Sequence, residues 1–320
     1  MLRLFLALSL CWLSHSNVTS YPFKTLNPNT GQIAEPVREI LETLQEPTTL
    51  SAPETLALLQ KKYGRTTTQE RYQLSQNQQI EKKRDQLFPS FAKLGMTDSA
   101  LPSQKNYDFI IILGSTIENM RDRVAFFLYL LEKKIITLTS ATQLFFIAGD
   151  RELFPHENIL ESKKHSFQPN WIAPSSNKLP KTEAEAASPV LDQLVSDSSL
   201  RNRMRVLVTP KRYDASTKQW LRPHTGNNIE TLMEHIGNIS SRKRFLFISS
   251  NPEVAYQNAV ISREFLDRSL LDKVELETVG PLTTKDSSVA ELDNLKNTLH
   301  RELEVWERLQ QSLKNNNNSK

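Results

Sequence analysis

Four apolar runs of the sequence are each followed directly by polar residues that can hold a small ligand. These turns are Gly114-Ser115-Thr116, Gly149-Asp150-Arg151, Thr209-Pro210-Lys211 and Ser249-Ser250-Asn251. If the runs are parallel strands, the turns meet at one edge of a sheet, where helix N-termini offer N–H groups and a positive dipole end. The turns therefore predict a ligand site at that edge. An ordinary helix N-cap is the alternative interpretation of Ser115 and Thr116.

Glycine content narrows the class of ligand. A nicotinamide-binding fingerprint needs three glycines in the first turn, and a P-loop is equally glycine-rich. Here the first turn has only Gly114, and the whole chain has 8 glycines. Hydroxyl groups and helix ends can still hold a nucleotide-like or other small anionic ligand. No cofactor is identified by the sequence.

A second group of polar residues lies just beyond the apolar run 144–149. The segment "AGDRELFPHEN" contains Asp150, Glu152, His156 and Glu157. Carboxylates and imidazole suit divalent cations, and they also suit acid–base chemistry. The spacing matches no closed ligand set, so a solvated loop is favoured and no metal site is predicted. Asp150 stands out because it directly follows the run.

Further candidates are single residues with more than one interpretation. His224 could act as a general base or lie on the surface, and Ser115 or Ser250 could be a nucleophile, although neither lies in a Gly-x-Ser-x-Gly elbow. Arg123 is expected to pair with Asp108 or Glu183, or to clamp an anion. Asn228, near Thr225 at a helix start, could orient a ligand or cap the helix. No catalytic residue is identified among them.

The elements that would position these residues are predicted from Tyr107 onward. Short runs rich in β-branched and aromatic residues, at 107–114, 144–149, 204–210, 244–250 and 274–280, are separated by helical patterns near 118–134, 182–196, 226–239 and 253–268. This alternation predicts an α/β fold with a mostly parallel five-stranded sheet and helices on both faces. The segments 151–181 and 210–224 are predicted to be loops, either functional or disordered.

The N-terminus has the layout of a secretory signal peptide. "MLRLFLALSLCWLSHSNVTS" has one early cation, a short apolar stretch and then small polar residues. We therefore expect residues 1–20 to be a signal peptide of an exported protein, either periplasmic or secreted; an uncleaved membrane anchor is the alternative. Cys11 is the single cysteine. A mature chain would then have no thiol for disulfides, nucleophilic catalysis or zinc.

The two ends of the chain are predicted to be helical. Residues 21–105 form a helical N-terminal extension, and 287–314 form an amphipathic C-terminal helix whose apolar stripe either packs on the α/β domain (106–286) or pairs with another chain; 315–320 is predicted to be a disordered tail. These helices are candidate contacts for a protein partner.

Bulk composition excludes some partners. With 38% hydrophobic and 24% charged residues the chain is typical of a soluble globular protein. Its formal charge of +4 is too mild, and its basic clusters are too short, to indicate nucleic-acid binding. No segment after the signal reaches membrane-spanning length, so contact with a membrane is expected only through an uncleaved signal segment.

The stretch from about 107 to 280 resembles the bacterial domain of unknown function 218, the YdcF-like family, which has a Rossmann-like α/β fold. The matching residues, in chain order, are Asp108 and Gly114; Arg123, Ala125 and Tyr129; Gly149 and Asp150; Thr182, Glu183 and Ala184; Thr225 and Asn228; and Ile248, Ser249 and Ser250. The resemblance implies an envelope-associated protein with a ligand site at the strand ends.

The chain also departs from the family pattern. Ser115 and Thr116 replace a glycine cluster, Asp150 replaces a second glycine, and Glu253 and Tyr256 stand where a His and an Arg are usual. Two functions follow as expectations. One is an exported protein that binds a small anionic or nucleotide-like ligand, with enzymatic activity left open. The other is a non-catalytic envelope or secreted scaffold that has lost the family's ligand chemistry.

Overall fold

A parallel five-stranded sheet forms the centre of the protein. The computed structural model describes residues 22–65, 74, 77–282 and 288–318, with side chains described to residue 315. The strands are β1 (Phe109–Leu113), β2 (Gln143–Gly149), β3 (Met204–Thr209), β4 (Arg212–Asp214), β5 (Gln219–Leu221), β6 (Lys243–Ile248) and β7 (Val274–Val279). The main sheet has the order β3-β2-β1-β6-β7, and every neighbouring pair in it is parallel. This confirms the predicted α/β, Rossmann-like fold.

Helices connect the strands and extend both ends of the chain. They are α1 (Glu35–Thr43), α2 (Ala52–Lys62), α3 (Gln78–Glu81), α4 (Arg84–Lys93), α5 (Ile117–Glu132), α6 (Glu183–Leu194), α7 (Ser198–Arg203), α8 (Thr225–Ile236), α9 (Val254–Asp267) and α10 (Ser288–Asn318). Within the described residues, no helix is both long and apolar enough to cross a membrane.

Strand β1 is buried on both faces, which explains its continuous apolar sequence. Side chains alternate along a strand. Ile110 and Ile112 face the layer that contains α5 and α6, whereas Ile111 and Leu113 face the layer that contains α8 and α9. All four are at most 1% exposed. The two cores fix the positions of the helices over the sheet.

The strand order creates a crevice at the carboxyl end of β1. From β1 the chain passes through α5 to β2 on one side, and β6 lies on the other side of β1. Such a reversal of direction is a topological switch point, and in open α/β sheets ligands bind in the crevice outside the strands at this point. The turns that follow β1, β2 and β6 are therefore the relevant surroundings for a site.

The helices from both ends of the chain share a third core. Val37, Leu59 and Phe91 from the N-terminal helices pack in one cluster with Leu295 and Leu299 of α10. Helix α10 also contacts α9, so it joins this layer to the sheet. The apolar stripe of α10 is thus buried within the chain from Leu292 to Leu303. Its helix continues to Asn318, into the segment 315–320 predicted to be a disordered tail.

Both predicted loops contain more order than the sequence indicates. The segment 210–224 forms the antiparallel hairpin β4–β5, whose strands are too short to show an alternating pattern. Its turn is held by Asp214, which accepts hydrogen bonds from the Ser216 amide at 2.9 Å and the Thr217 hydroxyl at 2.8 Å. The segment 151–181 is fastened to α5 by the buried Arg121, whose guanidinium donates to the Ile159 and Glu161 carbonyl groups.

Candidate functional site

The first turn of α5 is closed by a side chain of the protein itself. Glu157 Oε1 accepts a hydrogen bond from the Ile117 amide at 2.8 Å, and Oε2 accepts one from Phe154 at 2.7 Å. Thr116 is the N-cap residue, but its hydroxyl makes no cap bond. A carboxylate at this position satisfies the helix dipole. Glu157 therefore occupies a place where a ligand anion would otherwise bind.

Arg123 joins the carboxyl ends of β1 and β6. Its guanidinium is fully buried and donates to the Leu113 and Gly114 carbonyl groups at 2.8 and 2.7 Å. It also donates to Ser250 Oγ at 3.0 Å and pairs with Glu253 Oε2 at 2.9 Å. The expected partners were Asp108 or Glu183, and neither forms this ion pair.

Asp108 lies at the other end of β1, where it pairs with Lys243 at 3.0 Å. This separation along the strand is why the predicted pairing with Arg123 is wrong. Burial lowers the pKa of Arg123, and the charges of Glu253 and Glu183 oppose that change. A guanidinium starts so far above neutrality that it stays charged.

Glu183 joins the ends of β1 and β2. Its Oε1 accepts from the Gly149 amide at 3.1 Å, and its Oε2 accepts from Arg151 Nε at 3.0 Å. A Cβ on Gly114 would collide with Oε1 of Glu183 and would lie 2.8 Å from the Cα of Ala148. Glycine at position 114 is therefore required by this close approach rather than by backbone conformation.

The charged groups at the end of β1 do not favour a bare anion. Arg151 pairs with both Glu183 and Glu157 and also donates to the Ser115 carbonyl group at 3.3 Å. Together with Arg123 and Glu253 this makes three carboxylates against two guanidinium groups. Burial raises the pKa of Glu183 above its ordinary value, although Arg151 and the Gly149 amide counteract it. A neutral or donor-bearing ligand suits such surroundings better than a phosphate does.

Several buried side-chain oxygens at this edge lack a hydrogen-bond donor within the described residues. They belong to Thr209 at the end of β3, Asn228 in the first turns of α8, Asn251 after β6 and Gln257 in the first turn of α9. None of these residues is more than 7% exposed. Unsatisfied buried oxygens of this kind are rare in native proteins and call for a partner. All four lie at or beyond the carboxyl ends of strands.

The structure brings about half of the predicted site residues into two neighbouring hydrogen-bonded groups at the strand ends. Arg123 holds Gly114 and Ser250 in one group. Arg151 holds Glu183 and Ser115 in the other, and Glu183 in turn accepts from Gly149. The Ser249 hydroxyl donates to the Ser250 carbonyl group at 3.5 Å. Within the described residues, no hydrogen bond connects the side chains of the remaining candidates to either group; these are Thr116, Asp150, His224, Thr225 and Asn228. His224 instead caps α8, because its Nδ1 accepts from the Gly226 amide at 3.1 Å.

The acidic segment after β2 does not form a cluster. Glu157 turns toward α5, Glu152 pairs with Lys211 at 3.0 Å, and the His156 ring stacks on Phe154. Across the described residues, no group of three or more His, Cys, Asp and Glu side chains is placed to hold a metal ion.

Sequence reasoning placed Arg151 in a strand-end turn without assigning it a role, and it missed the capping role of Glu157. Both lie in a segment that returns to β1 only in the folded chain, so their spacing along the sequence carries no signal. Glu253 was noted only as a departure from the family pattern, yet it is the acidic partner of Arg123. A buried arginine is expected to have a carboxylate partner, and this expectation is the signal that could have identified Glu253.

Comparisons of the chain with protein-family models, with curated proteins and with solved structures found no match. The resemblance to the YdcF-like family therefore stays a prediction that rests on the residues quoted above.

Proposed function

We propose that the protein binds a small nucleotide-like ligand, through its hydroxyl or amino groups, along the carboxyl ends of the strands from β3 to β6. The buried unpartnered oxygens of Thr209, Asn228, Asn251 and Gln257 are the observation that carries this proposal. The amide oxygens of Asn228, Asn251 and Gln257 can only accept hydrogen bonds, so the matching ligand presents N–H or O–H donors to them. The Thr209 hydroxyl can accept or donate. Nucleosides and sugars have that chemistry.

Two further observations support the position of the site. The crevice lies at the topological switch point, where ligands of open α/β sheets bind. Asn228 and Gln257 come from the helices α8 and α9, which cover the same face of the sheet. The phosphate of a nucleotide would have to lie away from α5, because Glu157 already satisfies the start of that helix.

Export and an envelope-related role in the YdcF-like manner belong to the same proposal. Both depend on the sequence of residues 1–20, which lie outside the described residues, and on the resemblance quoted above. Enzymatic activity is left open in this proposal.

A non-catalytic scaffold is the second candidate function. The specific observation in its favour is that Arg123 pairs with Glu253, while Arg151 pairs with both Glu157 and Glu183. Ion pairs of this kind stabilise the strand ends without a ligand. In a scaffold, the four unpartnered oxygens would be hydrated and would contribute nothing to recognition.

Thermal unfolding of the full chain against nucleosides, nucleotides, sugar phosphates and divalent metals separates the two functions. A ligand at 100 times its Kd stabilises the native state by about 2.7 kcal/mol, which is a readable shift in Tm. We expect nucleosides and nucleotides to give comparable shifts and inorganic phosphate to give none. No shift with any donor-bearing ligand would favour the scaffold.

Two variants and a matched control test the position of the site. Asn228→Ala and Gln257→Ala remove unpartnered acceptors and should each weaken binding of the responding nucleoside about tenfold, as expected for a hydrogen bond worth about 1–1.5 kcal/mol. Asn258→Ala is the control, since its Oδ1 already accepts from the Thr278 hydroxyl at 3.0 Å. Equal affinity of all three variants and the original chain would refute a site between α8 and α9.

A further inference from the structure

Strand β3 is an edge of the main sheet, and its outer side carries no strand within the described residues. The strand is six residues long, and its sequence, Met204-Arg205-Val206-Leu207-Val208-Thr209, contains a single charge. Edge strands of monomeric proteins are commonly protected by charges, prolines or bulges. An apolar edge with one arginine is a template for pairing with another strand.

The backbone of β3 fixes which residues can take part in such pairing. The Thr209 carbonyl group accepts a hydrogen bond from the Asp150 amide at 2.8 Å, so Thr209 is turned toward β2. Backbone groups alternate in direction along a strand. Arg205, Leu207 and Thr209 therefore bond to β2, while the amide and carbonyl groups of Val206 and Val208 point outward. The Met204 amide already donates to the Arg201 carbonyl group. Only the carbonyl group of Met204 is therefore available for pairing with another strand.

We propose that the protein forms a two-fold dimer in which β3 pairs with β3 of a second copy in antiparallel orientation. In an antiparallel hydrogen-bonded pair, both residues must have outward backbone groups. Val206 opposite Val206 of the second copy, with Val208 opposite Met204, meets this condition. The paired sheets then form one continuous sheet of both copies.

This register also satisfies the side chains. Arg205 lies opposite Leu207 of the second copy rather than opposite its own equivalent, so no like charges face each other across the axis. A strand that is self-complementary in backbone bonds and in charge fits a second copy of the same chain better than it fits an unrelated partner.

Exposed apolar side chains continue from β3 into the hairpin that follows it. Val208, Tyr213, Trp220 and Leu221 are 52%, 54%, 67% and 48% exposed. Because the copies run antiparallel, the hairpin of one copy is directed toward the beginning of β3 in the other, where α7 leads into the strand. The rings of Tyr213 and Trp220 contact each other, with centroids 5.5 Å apart. Contiguous exposed apolar groups mark interaction sites.

A cleft of about 420 Å³ lies beside α7. Trp171, Ile172 and Val195 contribute its apolar lining, and Arg201, which is paired with Asp192 at 2.7 Å, its charged lining. Ile172 is 87% exposed. In the proposed dimer, the β4–β5 hairpin of the second copy binds in this cleft. This contact covers the exposed apolar side chains of the hairpin and of the cleft.

Sedimentation velocity of the full chain tests the dimer directly. We expect a species of twice the 36.7 kDa chain mass at micromolar concentration. Val208→Lys should shift it to the monomer, because a cation at the edge opposes strand pairing. Leu282→Lys is the matched control, as Leu282 is also 52% exposed but follows β7 at the opposite edge. A monomeric original chain, or a dimer that Val208→Lys leaves unchanged, would overturn the proposal.

A cysteine cross-link tests the register without weakening the interface. In a Cys11→Ser background, Val206→Cys places two thiols on the two-fold axis, where opposed Cα atoms are about 5.5 Å apart and a disulfide can form. Val208→Cys in the same background places the two thiols beyond disulfide reach. We expect covalent dimers under mild oxidation only from Val206→Cys. Equal cross-linking of the two variants, or none from Val206→Cys, would contradict the register.

Discussion

At the scale of single residues, Arg123 decides the arrangement of the strand ends. It is fully buried, bonds to two carbonyl groups of the turn after β1 and pairs with Glu253. A charge in such a place is tolerated because every part of the guanidinium has a partner. Removing it leaves Glu253 without its cation and leaves two carbonyl groups without their donor.

Arg123→Met is therefore expected to lower the free energy of unfolding by about 3–5 kcal/mol, the range found when one partner of a buried ion pair is removed. Arg244→Met is the control, because Arg244 pairs with Glu275 at 2.8 Å on the surface. This substitution should lower the free energy of unfolding by about 1 kcal/mol or less. Denaturant unfolding of the two variants measures both values. Equal losses would show that Arg123 contributes no more than an exposed ion pair does.

The same residue shows how far the sequence predicts a site. Gly114 and Ser250 were singled out from their positions at strand ends, and Arg123 and Glu183 from helix positions that match the family pattern. The structure bonds Arg123 to Gly114 and Ser250 and places Glu183 directly against Gly114. Their partners were not predicted, because Glu253 and Arg151 reach them only through the folded chain. A sequence pattern predicts which strand end a residue occupies, but it carries little information on which side chain it meets across the sheet.

At the scale of elements, the strands and the helices between them were predictable because their apolar patterns are long. The hairpin β4–β5 was not, since each of its strands has only three residues. Helix α4 continues past Pro89. Because an interior proline usually kinks or ends a helix, the sequence does not predict this continuation. The order of the segment 151–181 comes from Arg121 on α5, and a composition rich in Pro, Asn and Ser gives no sign of that contact.

Arg121 holds this segment at several points. Its guanidinium donates to the Ile159 and Glu161 carbonyl groups at 2.8 and 2.6 Å and to Gln193 Oε1 at 2.9 Å. Gln193 in turn donates to the Ile159 carbonyl group at 2.6 Å. The ring of Phe167 lies 4.9 Å from the guanidinium carbon of Arg121. The segment is thus attached to both α5 and α6.

Arg121→Met should release the segment while the sheet stays folded. We expect trypsin to cut after the exposed residues Lys163 or Lys164 at least on the order of tenfold faster than in the original chain. The reason is that loss of these hydrogen bonds lowers the free energy of local opening. Lys133→Met removes an exposed cation just beyond α5 and should leave the rate unchanged. Limited proteolysis followed by mass spectrometry measures the cut sites. An unchanged rate in Arg121→Met would mean that other contacts hold the segment.

At the scale of the whole molecule, the C-terminal helix α10 connects the N-terminal helices to the α/β domain. Glu302 on this helix is fully buried and accepts hydrogen bonds from the amides of Lys24 and Thr25 at 2.8 and 2.7 Å and from the Thr25 hydroxyl at 2.6 Å. Burial raises the pKa of Glu302 above its ordinary value, despite the hydrogen bonds from Thr25 and Lys24 that lower it. Attachment of the N-terminal segment should therefore depend on pH.

The direction of this dependence follows from the raised pKa. Below the ordinary value of 4.5 Glu302 is protonated in both the folded and the unfolded chain, so its contribution to stability is fully present. As pH rises toward the folded pKa, only the unfolded chain releases the proton, and the contribution declines by up to about 1.4 kcal/mol per pH unit. Above the folded pKa it is constant.

Glu302→Gln removes this titration. The unfolding free energy of the original chain minus that of the variant should fall as pH rises from about 4.5 and then level off. Glu304→Gln is the control with the opposite sign. Burial raises the pKa of Glu304, but Arg301 and Arg263 outweigh it and lower the pKa, so the corresponding difference should grow with pH until 4.5. Denaturant unfolding at a series of pH values measures both differences. A flat Glu302 difference would mean that the contact with Thr25 holds the N-terminal segment equally at every pH. A difference that grew with pH would mean that the hydrogen bonds to the carboxylate outweigh its burial.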